Sequence, residues 1–434
     1  MAPLLLALDR LPYCRLLHNQ FVLLQKSLQH LPIFHLRAFP HSLLPDLTAR
    51  LRGIDHQIRS SVQRICCPLH PLTAEGWSIA RLPQSSGGLG LNSLEDLADA
   101  AYLAKYAYSA LVIPRLFPHL SAALPPANQL APGLPAHAPV TRPSLVLQAA
   151  HCYSRLNSSL PDVDIAKLLT LPADTPIHHI QKRLMHPAHE LAKSSLVSDL
   201  STRGRAQLLS SAGDTHTFST TPCPASLLLT NPQFGVAASR RLLIPVYHSS
   251  PSLTCPRCSQ PMDPFGDHTL RCSAKGLAAR TKYWHDKLVR ALSRNLRSLG
   301  LRVSMEVAGL PSNRLLSNKR ADLVIYSADP SSHPDILCDV RTCLPTLSNL
   351  VKSASFTPGH AAASGQQDKI RDWHLAAAFC HCAFAPLAFE DGGRVGPYVT
   401  TLINGSISNA SSNRSECAAR QTLIWRDLAI TNTR

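Results

Sequence analysis

Apolar residues recur three and four apart through the first part of the chain. Leu16, Leu23, Leu24, Leu28 and Leu31 keep this spacing, and so do Leu44, Leu47, Leu51 and Ile54. Such stripes mark helices that bury one face, so residues 11–110 are expected to be mostly helical. The run Leu82-Pro83-Gln84-Ser85-Ser86-Gly87-Gly88-Leu89-Gly90-Leu91 breaks the pattern. It reads as a tight glycine-rich turn that lets two helical layers meet. The glycines would also suit a phosphate cradle, but the lysine of a phosphate-binding loop is missing. A helix is expected from Asn92 to Leu111, with Ser93 as N-cap and Glu95 and Asp96 in its first turn. Residues 112–143, rich in Pro and Ala, read as a linker. Short helical patterns resume over 144–250, including Ile180–Leu200, which Pro187 punctuates.

From residue 255 the periodicity changes. Trp284, Leu288, Leu292, Leu296 and Leu299 mark one helical face that Gly300 ends. Leu301, Val303, Met305 and Val307 then alternate with Arg302, Ser304 and Glu306, as in a half-buried strand. Leu323–Tyr326 and Ile336–Val340 read as further strands, Ala361–Phe379 as a helix and Ala383–Phe389 as a last strand. The expected class is α+β: a mostly helical N-terminal half, then an α/β mixed sheet with flanking helices.

Charge narrows the partners. The 43 Lys and Arg against 27 Asp and Glu give a net charge of +16. That balance favours polyanions, nucleic acid first, through counterion release. The 13 cysteines are odd in number and scattered, which suits a reducing compartment better than a disulfide framework. The apolar start lacks a basic n-region, and no run of 18 apolar residues occurs. A nuclear or cytoplasmic location is expected, without secretion or a membrane span.

Four metal-ligand residues sit in one tight window: Cys255-x2-Cys258-x9-His268-x3-Cys272. Three thiolates and an imidazole satisfy tetrahedral Zn²⁺, and Pro256 and Gly266 supply turn chemistry on either side. A closed site of this kind serves folding and nucleic-acid positioning. Asp267 is expected to orient His268.

Acidic residues follow on the expected strands. Asp322 opens one strand and Asp339 lies in the next, on the face opposite Ile336, Cys338 and Val340. Glu306 is on the polar face of the strand before. Together the three acids would place carboxylates around one Mg²⁺, as phosphodiester hydrolysis requires. Lys369 in the following helix would orient the attacking water. Arg341 keeps its proton and suits phosphate contact. The ordinary alternative is that these are solvated strand-end acids and that His285 is a packed or solvated histidine.

The zinc-type window followed by the acids resembles the C-terminal region of non-LTR retrotransposon proteins with a restriction-like endonuclease. The match runs through Cys255, Cys258, His268 and Cys272, then Arg280 and His285. It continues through Glu306, Arg320-Ala321-Asp322, Asp339-Val340 and Lys369, and then Phe384 to Glu390 with Gly392-Gly393. The helical run with the Leu82–Leu91 stretch is similar to the thumb that follows the polymerase core in such proteins. This resemblance implies a restriction-endonuclease-like sheet, structural Zn²⁺ and catalytic Mg²⁺. Asp322 and Asp339 would hold the Mg²⁺, with Lys369 and Glu306 also catalytic. Arg280, His285, Arg320 and Arg341 would contact nucleic acid. Ala321 stands where the family has Pro, and Arg341 where Thr is usual. The polymerase's Asp-Asp motif is absent from these residues, so reverse transcription is not expected of this chain alone.

The implied organisation is a thumb-like region (1–111), a linker (112–143), a helical domain (144–250), a zinc knuckle (251–275), an endonuclease (276–405) and a tail (406–434). The implied activity is Mg²⁺-dependent nicking of target DNA for target-primed reverse transcription. The alternative is a catalytically dead, zinc-stabilised nucleic-acid-binding remnant.

Overall fold

Leucine stripes separated by short turns fold as helices that can only be buried against one another. A computed structural model describes residues 2–39, 45–119, 124–130, 145–170, 172, 175–213, 228–247, 253–272, 278–308, 320–328, 333–410 and 413–433. The chain is α+β, with a helical N-terminal half and a four-stranded mixed sheet in the C-terminal half.

One hydrophobic core runs through the helical half, from Leu4 past Ile58, Leu103, Leu184 and Phe234 to Ile244. Helices on both sides of the expected linker therefore share it. At its centre is the helix Leu94–Leu116, buried on nearly every side because its residues are mostly Ala, Leu and Tyr. Ser93 caps it, its Oγ accepting from Asp96 N at 3.3 Å. The helix runs past the expected stop at Leu111, with Pro114 inside its last turn. Having no N–H, that proline leaves the Ala110 carbonyl without its intrahelical partner one turn before the end. Further along, Ala127 and Leu130 are buried in the same core. The 112–143 segment is thus not linker throughout; residues 120–123 and 131–143 lie outside the described residues.

The glycine-rich turn holds no phosphate cradle. Its carbonyls face the buried Arg241, whose Nε lies 3.1 Å from both Gly87 O and Gly88 O. Arg241 also donates to Ser211 O at 2.8 Å. Gly88 has no room for a side chain: a Cβ there would lie 2.1 Å from Leu82 O and 2.5 Å from Ile79 O. Gly88→Ala is expected to cost about 1–3 kcal/mol, read as a lower urea midpoint with an unchanged slope.

In the second half the strands are β1 (Arg302–Ala308), β2 (Arg320–Tyr326), β3 (Ile336–Cys343) and β4 (Ala383–Glu390), in the order β1-β2-β3-β4. β1–β2 and β2–β3 are antiparallel, and β3–β4 is parallel. A parallel pair needs a crossover, and the helix His360–Phe379 provides it. That helix lays Trp373, Ala376 and Ala377 on the face that carries Val324 and Leu337. The opposite face carries Leu323, Ile325, Cys338, Val340, Leu387 and Phe389. Leu288, Leu292 and Leu296 of the helix Ala278–Ser298 cover it.

The residues expected as a tail are structural. The helices Pro397–Ala410 and Arg414–Thr433 add Val399, Ile403, Ile424 and Leu428 to that core. Asn432 ties the last helix down: it donates to Glu390 O at 2.8 Å and accepts from Trp284 Nε1 at 3.2 Å. Among the described residues, no helix is long and apolar enough to cross a membrane.

Candidate metal centre and acid cluster

The knuckle is shaped by main-chain bonds. Cys255 N donates to Gln260 O at 2.8 Å and Ser259 N to Cys255 O at 2.9 Å, a turn in which Ser259 takes φ 56°. Asp263 then collects the next loop, accepting from Phe265 N at 3.0 Å, Asp267 N at 2.9 Å and also His268 N. Gly266, at φ 80°, makes the reversal into the short helix Asp267–Arg271.

The result is that ligand atoms of Cys255, Cys258, His268 and Cys272 all lie within 4.8 Å of one another. The Cys255 and Cys272 sulfurs are 3.9 Å apart, and Cys258 Sγ is 3.1 Å from His268 Nε2. Sulfurs sharing a tetrahedral zinc stand about 3.8 Å apart, given Zn–S bonds of about 2.3 Å, so the set fits zinc. The main-chain N–H groups of Arg257 and Cys258 draw the Cys255 thiol down to about 6, which favours the thiolate a metal needs.

Asp267 does not serve His268 as expected. Its carboxylate pairs with Arg203 at 2.9 Å and Arg240 at 3.0 Å. Arg240 also pairs with Asp391, in the turn after β4. One guanidinium thereby joins the helical half, the knuckle and the sheet. Arg203 lies over the Phe265 ring, 3.7 Å from its centre.

The second cluster sits where β2 and β3 run side by side. Leu323 pairs with Cys338. One step further along both strands, Asp322 and Asp339 come opposite each other. Carboxylate oxygens of both, and a ring nitrogen of His285, lie within 4.8 Å of one another. Asp322 Oδ2 accepts from Val340 N at 2.7 Å and lies 3.0 Å from His285 Nε2. Asp339 Oδ2 lies 2.7 Å from Lys369 Nζ and accepts from Trp373 Nε1 at 2.6 Å.

These contacts split the two acids. Burial works to raise the Asp322 carboxyl, but His285, Asp339 and the Val340 N–H outweigh it and hold it below the usual range. Burial and then Asp322 push Asp339 up to about 6, against the pull of Lys369. For His285, burial lowers the pKa, and Asp322 and Asp286 more than reverse it.

Lys369 reaches Asp339 because its helix comes close to the sheet. Gly365, one turn earlier, has no side chain; a Cβ there would meet Cys343 Sγ at 2.7 Å and Arg341 Cγ at 3.0 Å. Trp373, one turn later, completes the same face.

Not every expected residue joins. Glu306 does not stand with Asp322 and Asp339: it is half exposed and ion-paired with Arg320. Its φ of 55° interrupts the regular strand alternation that would have turned it toward the other acids. Arg320 is accordingly spent on Glu306. Arg341 is exposed on the Asp339 side of the sheet, 3.9 Å from Asp368. The side chain of Arg280 lies outside the described residues. His285, which its sequence position alone marks as ordinary, stands inside the acid cluster. The Trp373 donor has only its Lys369-x3-Trp373 spacing as a signal.

No protein-family model matches this chain, and no curated protein matches it.

Proposed function

We propose that the protein is a retroelement-derived DNA-nicking endonuclease, built from a zinc knuckle and a metal-dependent sheet domain on a helical support. The observation that carries this reading is the meeting of Asp322, Asp339 and Lys369. Two carboxylates come from neighbouring strands and an amine from the crossover helix. Nothing in holding the hydrophobic core together calls for two partly buried acids side by side, and keeping them there costs free energy.

Their oxygens form a hard donor set that suits Mg²⁺. A bound Mg²⁺ would polarise the scissile phosphate and lower the pKa of water. Asp322 and Asp339 would hold it, and Lys369 would orient the water and offset charge on the phosphate. Trp373 and the Val340 N–H keep the carboxylates in place. Arg341, exposed on the same side, would contact the strand being cut. The net charge of +16 supports DNA as the partner.

One observation favours the alternative, a nucleic-acid-binding protein that does not cut. The Oδ2 atoms of both acids already have two partners each, and Glu306 is turned away.

A supercoiled plasmid separates the two. The full chain with Mg²⁺ is expected to produce open circles, and Asp322→Ala to slow this by roughly 10²–10³-fold. Nicking by Asp322→Ala at the parent rate would sink the endonuclease reading. Salt-sensitive DNA binding with no nicking by the parent would leave the non-cutting protein.

A further inference from the structure

His285 belongs to the helix Ala278–Ser298 and the two acids to β2 and β3. A ring nitrogen and an oxygen of each carboxylate nonetheless lie within 4.8 Å of one another. This gives the site a nitrogen donor beside its oxygens. The ring is held from behind. Its Nδ1 lies 3.3 Å from Asp286 Oδ1, and an ionised carboxylate only accepts, so Nδ1 carries a proton. Nε2 is the nitrogen turned to Asp322, 3.0 Å from Oδ2. A histidine gripped by a carboxylate at one nitrogen, with the other facing a second acid, is how metal-binding imidazoles are oriented.

The spacing selects among ions. Donors at adjacent corners of an octahedron with bonds of about 2.1 Å stand about 3.0 Å apart, whereas on a tetrahedral zinc they stand about 3.4 Å apart. The 3.0 Å between Nε2 and Oδ2 matches the octahedron. An ion can reach these donors, because the side chains of His285 and Asp322 keep 26% and 18% of their surface exposed. Mg²⁺ is octahedral but takes oxygen ligands and gains little from an imidazole. First-row transition ions accept imidazole and carboxylate together, and Mn²⁺ shares the liking of Mg²⁺ for carboxylate and water.

We propose that His285, through Nε2, is a further ligand of the ion held by Asp322 and Asp339, and that the site therefore takes Mn²⁺ in preference to Mg²⁺. Asp286 is a positioning residue that keeps the Nε2 lone pair aimed at the ion. Any proton on Nε2 leaves to solvent as the metal–nitrogen bond forms. The inference rests on the reading above in taking the two acids as metal ligands, but not on DNA as the partner or on cutting.

The test is Mn²⁺ binding to the full chain without DNA, with the knuckle loaded with zinc so that His268 is occupied, followed by electron paramagnetic resonance. Titration against Mg²⁺ reads the relative affinity. Pulsed spectra read whether an imidazole is bonded to the ion, because a coordinated nitrogen modulates the electron spin echo. The parent is expected to bind Mn²⁺ about tenfold more tightly than Mg²⁺, with nitrogen coupling. His285→Ala is expected to lose both the coupling and the preference. Asp286→Ala is expected to keep the coupling and to lower Mn²⁺ affinity about tenfold. Mn²⁺ bound by the parent without nitrogen coupling overturns the proposal and leaves the endonuclease reading standing. Coupling that survives His285→Ala, or a parent that prefers Mg²⁺, also overturns it, and an unchanged affinity in Asp286→Ala overturns the role given to Asp286. Nitrogen coupling that depends on His285, in a chain that does not nick plasmid, fails only the endonuclease reading.

Discussion

Stripping zinc from the knuckle with a strong chelator is expected to unfold residues 253–272 and lower the melting temperature of the whole chain. The segment has almost no core of its own: Cys255 and Cys272 are its buried apolar cluster, with Cys258 and Met262 against them. Structural zinc in peptides of comparable size supplies apparent free energies of about 10–16 kcal/mol, far more than such a cluster can. Without the ion, nothing would hold the Cys255 and Cys272 sulfurs together at 3.9 Å. The loss would spread, because Asp267 fastens the knuckle to Arg203 and Arg240. Elemental analysis should find one zinc per chain, and Cys258→Ser should reproduce the effect of the chelator. Purified protein that holds no zinc and melts identically with chelator would contradict the metal assignment.

The second large effect is expected at Arg240. Its side chain is 13% exposed and stands between Asp267 at 8% and Asp391 at 4%. Burial works against its charge, but Asp391 and Asp267 more than restore it. Arg240→Met would leave Asp391 buried without its cation and Asp267 with Arg203 alone, at a cost of about 3–5 kcal/mol. Urea unfolding of the variant measures this. Adding Asp391→Asn should recover part of the loss, since it removes the stranded charge. A change below about 1 kcal/mol would mean that the three parts are joined mainly by apolar contact.

Much of the fold is legible in the chain because burial there is periodic. Leu288, Leu292 and Leu296 repeat every turn, and all three lie in the sheet's core. The alternation of Leu337 and Cys338 between faces placed Asp339 correctly on the Leu337 side. The last helix escaped notice because its inner face mixes Ile424, Leu428 and Ile430 with buried Asp427, Thr431 and Asn432. A stripe interrupted by polar residues gives no clear period, although Asp427 pairs with Asn295 and Arg294, and Asn432 with Trp284 and the Glu390 carbonyl. In the helix Leu94–Leu116 the reverse holds: it is apolar all round, so periodicity could not mark its end. The acid cluster was legible as two strand residues and a helix lysine. His285 was not, because its approach to Asp322 depends on how one helix crosses the sheet, which local sequence does not encode.

The turn at Glu306 bears on β1 as the outer strand of the sheet. An outer strand offers an open row of amide and carbonyl groups on which another chain can build. A left-handed residue with a charged side chain breaks the regularity of that row beside the exposed Met305. A break of this kind makes β1 a poorer template for a further strand than a regular edge would be.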